Sequence, residues 1–258
     1  MLQQDQKKKN DKISSKFPYN KISKFITFDV LKKSDSQLKK ITSNFDYIIN
    51  CIGVIKPEIN SLDNGSLKKA IYINSIFPLI LAREVKESTT IYQIATDCVF
   101  SGSIGRYNEK SVHDDIDIYG VSKSLGEIKK KNFFNLRTSI IGKEFNTQKS
   151  LLEWFLGNKK KAVLKGFENH YWNGITTKAF GEIIYTLIDK NFKIPNTFHI
   201  IPKDVINKYD LLKIFNDKFG TGFKIKKYKT QKKMDRSLKT IYVKKLKYLW
   251  KLSFFKSQ

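Results

Sequence analysis

Tyr119 and Lys123, in the stretch DIYGVSKSLGEI, stand four residues apart. On a helix that spacing puts both side chains on one face. A phenol beside an ammonium is a proton-donating pair. A free tyrosine, with a pKa near 10, holds its proton too tightly to exchange it readily at neutral pH. An ammonium within about 4–6 Å favours the phenolate and lowers that pKa by roughly 1–3 units. Such a phenol meets the need of a ketone reduction, in which the carbonyl oxygen gains negative charge as hydride reaches the carbon. A hydroxyl aimed at the same oxygen orients it, and Thr96 at the end of TTIYQIATD is the candidate. Spacing alone does not single out Tyr119, because Tyr209/Lys213 and Tyr228/Lys232 repeat it in a lysine-rich chain.

The elements around Tyr119 make the distinction. KFITFD reads as a short strand ending at Asp29, and SDSQLKKITSN as a helix with Ser34 or Asp35 near its N-cap. DYIINCIG and TTIYQIATD are continuous apolar runs, as expected of strands buried on both faces. A long helical pattern with Pro78 inside it joins them. A loop over 98–117 leads into a helix from Tyr119 to about Lys130, and FFNLRTSII is a third buried strand. This alternation implies an α/β fold with a doubly wound parallel sheet. Ligands in such sheets bind beyond the carboxyl ends of the strands. Three of those ends are Asn50 to Gly53, Thr96–Asp97 and Arg137–Thr138–Ser139. Tyr119 opens the helix between the last two, so a hydroxyl, a phenol and an ammonium converge on one rim. The other two Tyr/Lys pairs lie off it and read as surface pairs. Beyond Gly142 the rhythm changes to SLLEWFLGNKK, KAVLKGF, TTKAFGEIIYTLIDK, NTFHII and a helix closed by Gly220.

The chain carries a formal charge of +25, yet arginine occurs only at 83, 106, 137 and 236. Phosphate and base recognition favours the arginine fork, and the lysines are scattered, so a nucleic-acid partner is not expected. No apolar run reaches the roughly 18 residues of a membrane span. The C-terminal VKKLKYLWKLSFFKSQ reads as a cap helix rather than a membrane-surface segment. The leader MLQQDQKKKNDK lacks the apolar stretch of a secretory signal. Cys51 and Cys98 read as free buried thiols of a reducing, cytoplasmic protein. His113, His170 and His199 lack ligand spacing, so no metal is expected. Asp114, Asp115 and Asp117 read as a solvated loop and an N-cap.

Taken together, YGVSK, ATDCVFSG, NCIG and NLRTSIIG, in this order and at this spacing, resemble the extended short-chain dehydrogenase/reductases. Among these the chain is most similar to the dTDP-4-dehydrorhamnose reductase group of sugar-nucleotide reductases. The resemblance runs from about Phe25 to Ile201, and more weakly through DRSL to Leu238. It implies a Rossmann-like cofactor domain over 20–142 and a smaller substrate cap over 143–258, with 177–201 packing back on the cofactor domain. It implies NADPH or NADH as cofactor and a nucleotide-linked 4-keto sugar as substrate, for surface polysaccharide or nucleotide-sugar biosynthesis. Thr96, Tyr119 and Lys123 would be catalytic. Asp29 would lie near the adenine; Asn50, Cys51, Ile52 and Gly53 would line the cofactor, and Asn74 would stand behind the site. Asp97, Cys98, Arg137, Trp172 and Asn173 would face the substrate, although Arg137 could equally tie down its strand end. Related dehydratases carry Thr-Asp-Glu where this chain has Thr96–Asp97–Cys98, and cysteine cannot replace that glutamate, so reduction is favoured over dehydration. A sugar-nucleotide epimerase, a non-catalytic binding or regulatory remnant, and a homodimer stay open.

Two departures qualify the resemblance. The family opens with a strand and a Gly-x-x-Gly-x-x-Gly loop that lets the backbone approach a pyrophosphate; here the first glycine is Gly53. The expectation is a sheet lacking its first βα unit. Either the given start lies downstream of the true one, or a shortened product binds cofactor poorly or not at all. The second departure is Ile140, which stands where the rhamnose enzymes carry tryptophan. Trp154 and Trp172 are the alternatives, although tryptophans on amphipathic segments are more often core.

Overall fold

A computed structural model describes residues 26, 28–32, 34–144 and 149–254. The chain divides into a leading unit, Met1–Ser34, and a second unit, Asp35–Gln258. In the leading unit a turn follows Asp29, whose carboxylate accepts from Leu31 N at 3.0 Å. Of the strand expected to end at Asp29, Lys24, Phe25 and Thr27 lie outside the described residues, and Ile26, Phe28 and Asp29 are not in a strand.

The second unit runs α1 (Asp35–Thr42), β1 (Tyr47–Asn50), α2 (Asn64–Ile71), a π-helical segment (Tyr72–Ile76), α3 (Phe77–Glu84), β2 (Thr90–Thr96), α4 (Ile118–Leu125), β3 (Phe133–Thr138) and β4 (Ile140–Ile141). It continues with α5 (Leu151–Leu156), β5 (Val163–Phe167), β6 (His170–Trp172), β7 (Ile175–Thr176), α6 (Thr177–Asp189), β8 (Thr197–His199) and β9 (Ile206–Asn207). The last elements are α7 (Lys208–Phe219), β10 (Lys224–Tyr228), β11 (Met234–Asp235) and α8 (Val243–Phe254).

The main sheet has the order β1-β2-β3-β8, and every pair is parallel. Alternate residues of its strands face opposite layers. Tyr92, Leu136 and Phe198 join α6 (Ile183, Leu187) and α8 (Leu246, Leu249) in one buried cluster. On the other face α4 packs against the π-helical segment and α2. Both faces are covered, as the apolar strand runs require, and the fold is α/β and Rossmann-like. Among the described residues β1 pairs only with β2, and Ile49 on it is 42% exposed.

A second cluster (Leu152, Phe155, Leu164, Trp172, Leu211, Leu212, Phe215 and Phe223) gathers α5, α7 and the short strands beyond 150. There β5 pairs with β10, and β6 lies between β9 and β11. Gly220 ends α7 at φ 59°, a left-handed stop that glycine adopts without a Cβ penalty.

Two expected elements end early. β1 stops at Asn50, so Cys51 to Gly53 form the rim and not strand. α4 stops at Leu125, where Gly126 sits so close to the Asn74 carbonyl that a Cβ would collide with it.

Candidate active site

The site is built on the carboxyl end of β2. Thr96 is its last residue and caps the turn Asp97–Val99, accepting from Cys98 N at 3.2 Å. Its hydroxyl also donates to Asp97 Oδ1 at 3.3 Å. α4 begins opposite, with the Asp117 carboxylate accepting from Tyr119 N at 3.0 Å. Gly120 lets this helix lie against the Cys98 carbonyl, where a side chain would collide. Tyr119 therefore lies beside Thr96, whose hydroxyl favours the phenolate. Burial pushes the Tyr119 phenol well above its usual range; Cys98 and Asp97 add to the rise, and Thr96 and Arg236 oppose it.

The expectation that Lys123 acidifies this phenol is corrected here. Lys123 Nζ donates to the Ile94 carbonyl at 2.9 Å, on the strand rather than at the phenol. Burial lowers its own pKa to about 8, with Glu127 and Cys51 pulling the other way. The phenol thus stays protonated through the neutral range.

Behind Lys123, Asn74 grips the rim loop. Its Oδ1 accepts from Val54 N at 2.9 Å, and its Nδ2 donates to Val54 O at 3.0 Å and Ser122 Oγ at 3.1 Å. Asn74 sits inside the π-helical segment, a distortion that recurs at functional sites. Asn50 is buried and bonds Gln93, while Cys51, Ile52 and Gly53 are exposed. A Cβ on Gly53 would sit 3.5 Å from Asn74 Oδ1 and 3.7 Å from Lys123 Nζ. That bare backbone and the Lys123 ammonium, with one hydrogen bond made and two protons to spare, are groups that could hold a hydroxylated ligand. The rim thus suits the nicotinamide half of a dinucleotide, and the described residues contain no glycine-rich phosphate loop. The buried thiol expected at Cys51 is exposed, because β1 ends one residue before it; Cys98 is half-buried. Asp29 lies in the leading unit.

The substrate-side residues divide. Asp97 is buried beside Tyr119 and Thr96; burial raises its pKa, while Arg236 and Lys208 oppose the rise. Cys98 is raised to about 12, mainly by burial. Trp172 donates from Nε1 to Ser139 Oγ at 2.6 Å, and Lys208 Nζ lies 5.1 Å over its ring. Arg137 and Asn173 are spent internally, against the expectation that they face substrate. Arg137, 2% exposed, holds Glu127 with two bonds (3.0 and 2.6 Å), His199 Nε2 at 2.7 Å and His113 Nε2 at 2.8 Å. The Asn173 amide closes both ways on the Leu238 backbone, at 2.7 and 2.8 Å.

Two residues of this corner lie outside the expected set. Arg236 donates to the Phe100 carbonyl (2.8 Å) and to Asp115 (2.9 Å), with Cys98 Sγ at 4.0 Å. Lys208, at the start of α7, is half-buried, and its pKa is lowered, chiefly by burial. The one sequence signal for Arg236 was its place in DRSL in a chain with four arginines. Of the other Tyr/Lys pairs, Tyr209/Lys213 is a cation-on-ring contact at 5.7 Å.

No curated protein matches the chain in a direct sequence search. Solved structures share its fold. A dTDP-4-dehydrorhamnose reductase from Clostridium acetobutylicum superposes with a TM-score of 0.70 at 20% identity, over 91% of this chain and 87% of its own. The Bacillus anthracis dTDP-4-dehydrorhamnose reductase, in complex with NADP, gives 0.68 at 19%, over 89% and 85%. A Bacillus cereus UDP-glucuronic acid 4-epimerase, in complex with NAD and a fluorinated UDP-sugar, gives 0.67 at 16%, over 89% and 79%. The profile of the RmlD substrate binding domain matches residues 37–239, most of the chain, and the chain belongs to that family.

Proposed function

We propose that the chain is an NAD(P)H-dependent reductase of a nucleotide-linked 4-keto sugar, acting in the cytoplasm in nucleotide-sugar or surface polysaccharide synthesis. The observation that carries this reading is the pairing of Tyr119 with Thr96 at the end of β2, one helix turn from Lys123. In it residues 20–142 serve the cofactor, 143–258 form the cap, and 177–201 pack back on the sheet. A bound nicotinamide supplies the hydride. Tyr119 donates its phenolic proton to the sugar carbonyl oxygen, and the Thr96 hydroxyl holds the same oxygen in place. Lys123 holds the ribose from the Gly53 side. Asp97, Cys98 and Trp172 line the sugar side.

Purified protein incubated with NADPH or NADH and dTDP-4-dehydrorhamnose is expected to oxidise the nicotinamide and reduce the sugar in equal amounts. Binding of the nucleotide sugar without nicotinamide oxidation would overturn the assignment in favour of a non-catalytic binder. An epimerised sugar with no net oxidation would overturn it in favour of an epimerase.

Lys123 gives the reading a pH signature. The unfolded chain keeps this proton to about pH 10.5 and the folded chain only to about 8. Between those values the unfolded state holds more protons, so stability rises with pH there; below about 8 the cost of burying the charge is felt in full. Ribose binding needs the ammonium, so NADPH affinity is expected to fall as pH climbs through about 8. Titrations across that range on the wild type and Lys123→Met check it. The variant should bind weakly, with a flat profile; a flat wild-type profile would remove Lys123 from the cofactor site.

A further inference from the structure

Along α8 runs a groove of about 850 Å³. Its floor and walls are apolar: Ile201, Leu238, Leu246, Val205, Val243 and Trp250. Trp250 is fixed there by donating from Nε1 to the Ile201 carbonyl at 3.0 Å. Around this floor stand five cations, Arg106, Lys203, Lys239, Lys247 and Lys251, all exposed. Among the described residues no carboxylate lines the groove. Elsewhere several lysines have found acids, such as Lys56 with Asp117 at 3.0 Å and Lys190 with Asp189 at 2.8 Å. None of these five makes an ion pair or a side-chain hydrogen bond among the described residues. Arg106 also holds a left-handed backbone, φ 52°, which costs a residue with a Cβ.

Like charges gathered without counter-charge repel one another, and a wet apolar trough wastes hydrophobic surface. One kind of ligand relieves both: an apolar chain with an anionic head. We propose that this groove binds a single anionic amphiphile, an alkyl, acyl or prenyl chain bearing a phosphate or carboxylate. The chain lies along Val205, Val243 and Trp250 while the head meets the cationic rim. The volume is that of a small-molecule site. A single ligand fits better than a bilayer, because Val205, Val243 and Trp250 line one trough of small-molecule volume and Leu249 of α8 faces the core.

The test uses the full chain and dodecyl phosphate below its critical micelle concentration, followed by calorimetry and tryptophan fluorescence. Saturable one-to-one binding is expected, at least about tenfold tighter than dodecyl maltoside, and weakened by added salt. Inorganic phosphate alone should bind far more weakly. The double variant Lys247→Glu/Lys251→Glu, at exposed unpaired positions, should lose about tenfold or more in affinity with its circular dichroism unchanged. Val205→Trp, which fills the trough and leaves every cation in place, should lose binding as well. Absence of saturation, equal affinity for the maltoside, or full binding by both variants would overturn the proposal. So would capture by phosphatidylglycerol vesicles or by an acidic amphipathic peptide with the monomer ignored. All of these readouts are independent of reductase activity.

Discussion

Tyr119→Phe is expected to lower turnover by about 10²–10⁴-fold while nucleotide-sugar binding stays within a few-fold of wild type. The substitution removes one oxygen from a half-buried ring and leaves the ring's packing in place. What it takes away is the proton. The phenol is held in its protonated form by burial and by the neighbouring Cys98 and Asp97, so the wild type presents a donor rather than a phenolate. Thr96→Val should cost less, about 10²-fold, since it removes only the group that orients the oxygen. Single-turnover rates and binding isotherms on both variants check this order. Normal turnover by Tyr119→Phe would end the assigned role.

Arg137→Ala is expected to destabilise the fold by about 3–5 kcal/mol, the usual cost of removing one partner of a buried ion pair. Glu127, its side chain 7% exposed, loses both of its guanidinium bonds. His199, whose pKa burial and Arg137 together hold down at about 3, keeps its Nδ1–H on the Lys239 carbonyl but loses the donor to Nε2. His113 loses the donor to its Nε2 too. A chain of this size should show a fall in melting temperature of about 10 °C. The double variant Arg137→Met/Glu127→Gln should recover part of that loss, because no unpaired charge stays buried. Thermal denaturation of the two variants decides the point: a single variant as stable as wild type would mean the guanidinium is not structural.

The layout of the site was readable where chemistry is local. Thr96 ends an apolar strand and Tyr119 opens the next helix, so sequence rhythm alone brought them to one rim. What escaped were contacts made over long separations. Arg236 reaches Phe100 and Asp115 from more than a hundred residues away, and Lys208 comes over Trp172 from another strand and helix. Periodicity carries no information about such meetings. Arg137 showed the same ambiguity in miniature, since an arginine at a strand end serves a phosphate or a carboxylate equally well, and only the position of Glu127 decides. The pull of Lys123 on Tyr119 failed for a related reason. Four-residue spacing sets a shared face, but the length of the lysine lets its nitrogen settle on Ile94 instead. Of the short strands beyond 150, the one read in KAVLKGF is present as β5, but its partner was invisible: Lys224–Tyr228 has three lysines in five residues and pairs as an edge strand through its backbone.

Glu127 belongs to two circuits at once. One oxygen pair clamps the guanidinium that ties β3 to its neighbours, and the same negative charge raises the proton affinity of Lys123. Scaffold and chemistry therefore draw on a common electrode. A lesion in the interior, far from any ligand, reaches the rim as a changed voltage: with Arg137 gone, the bare carboxylate tugs harder on the lysine's proton and moves its titration toward higher pH.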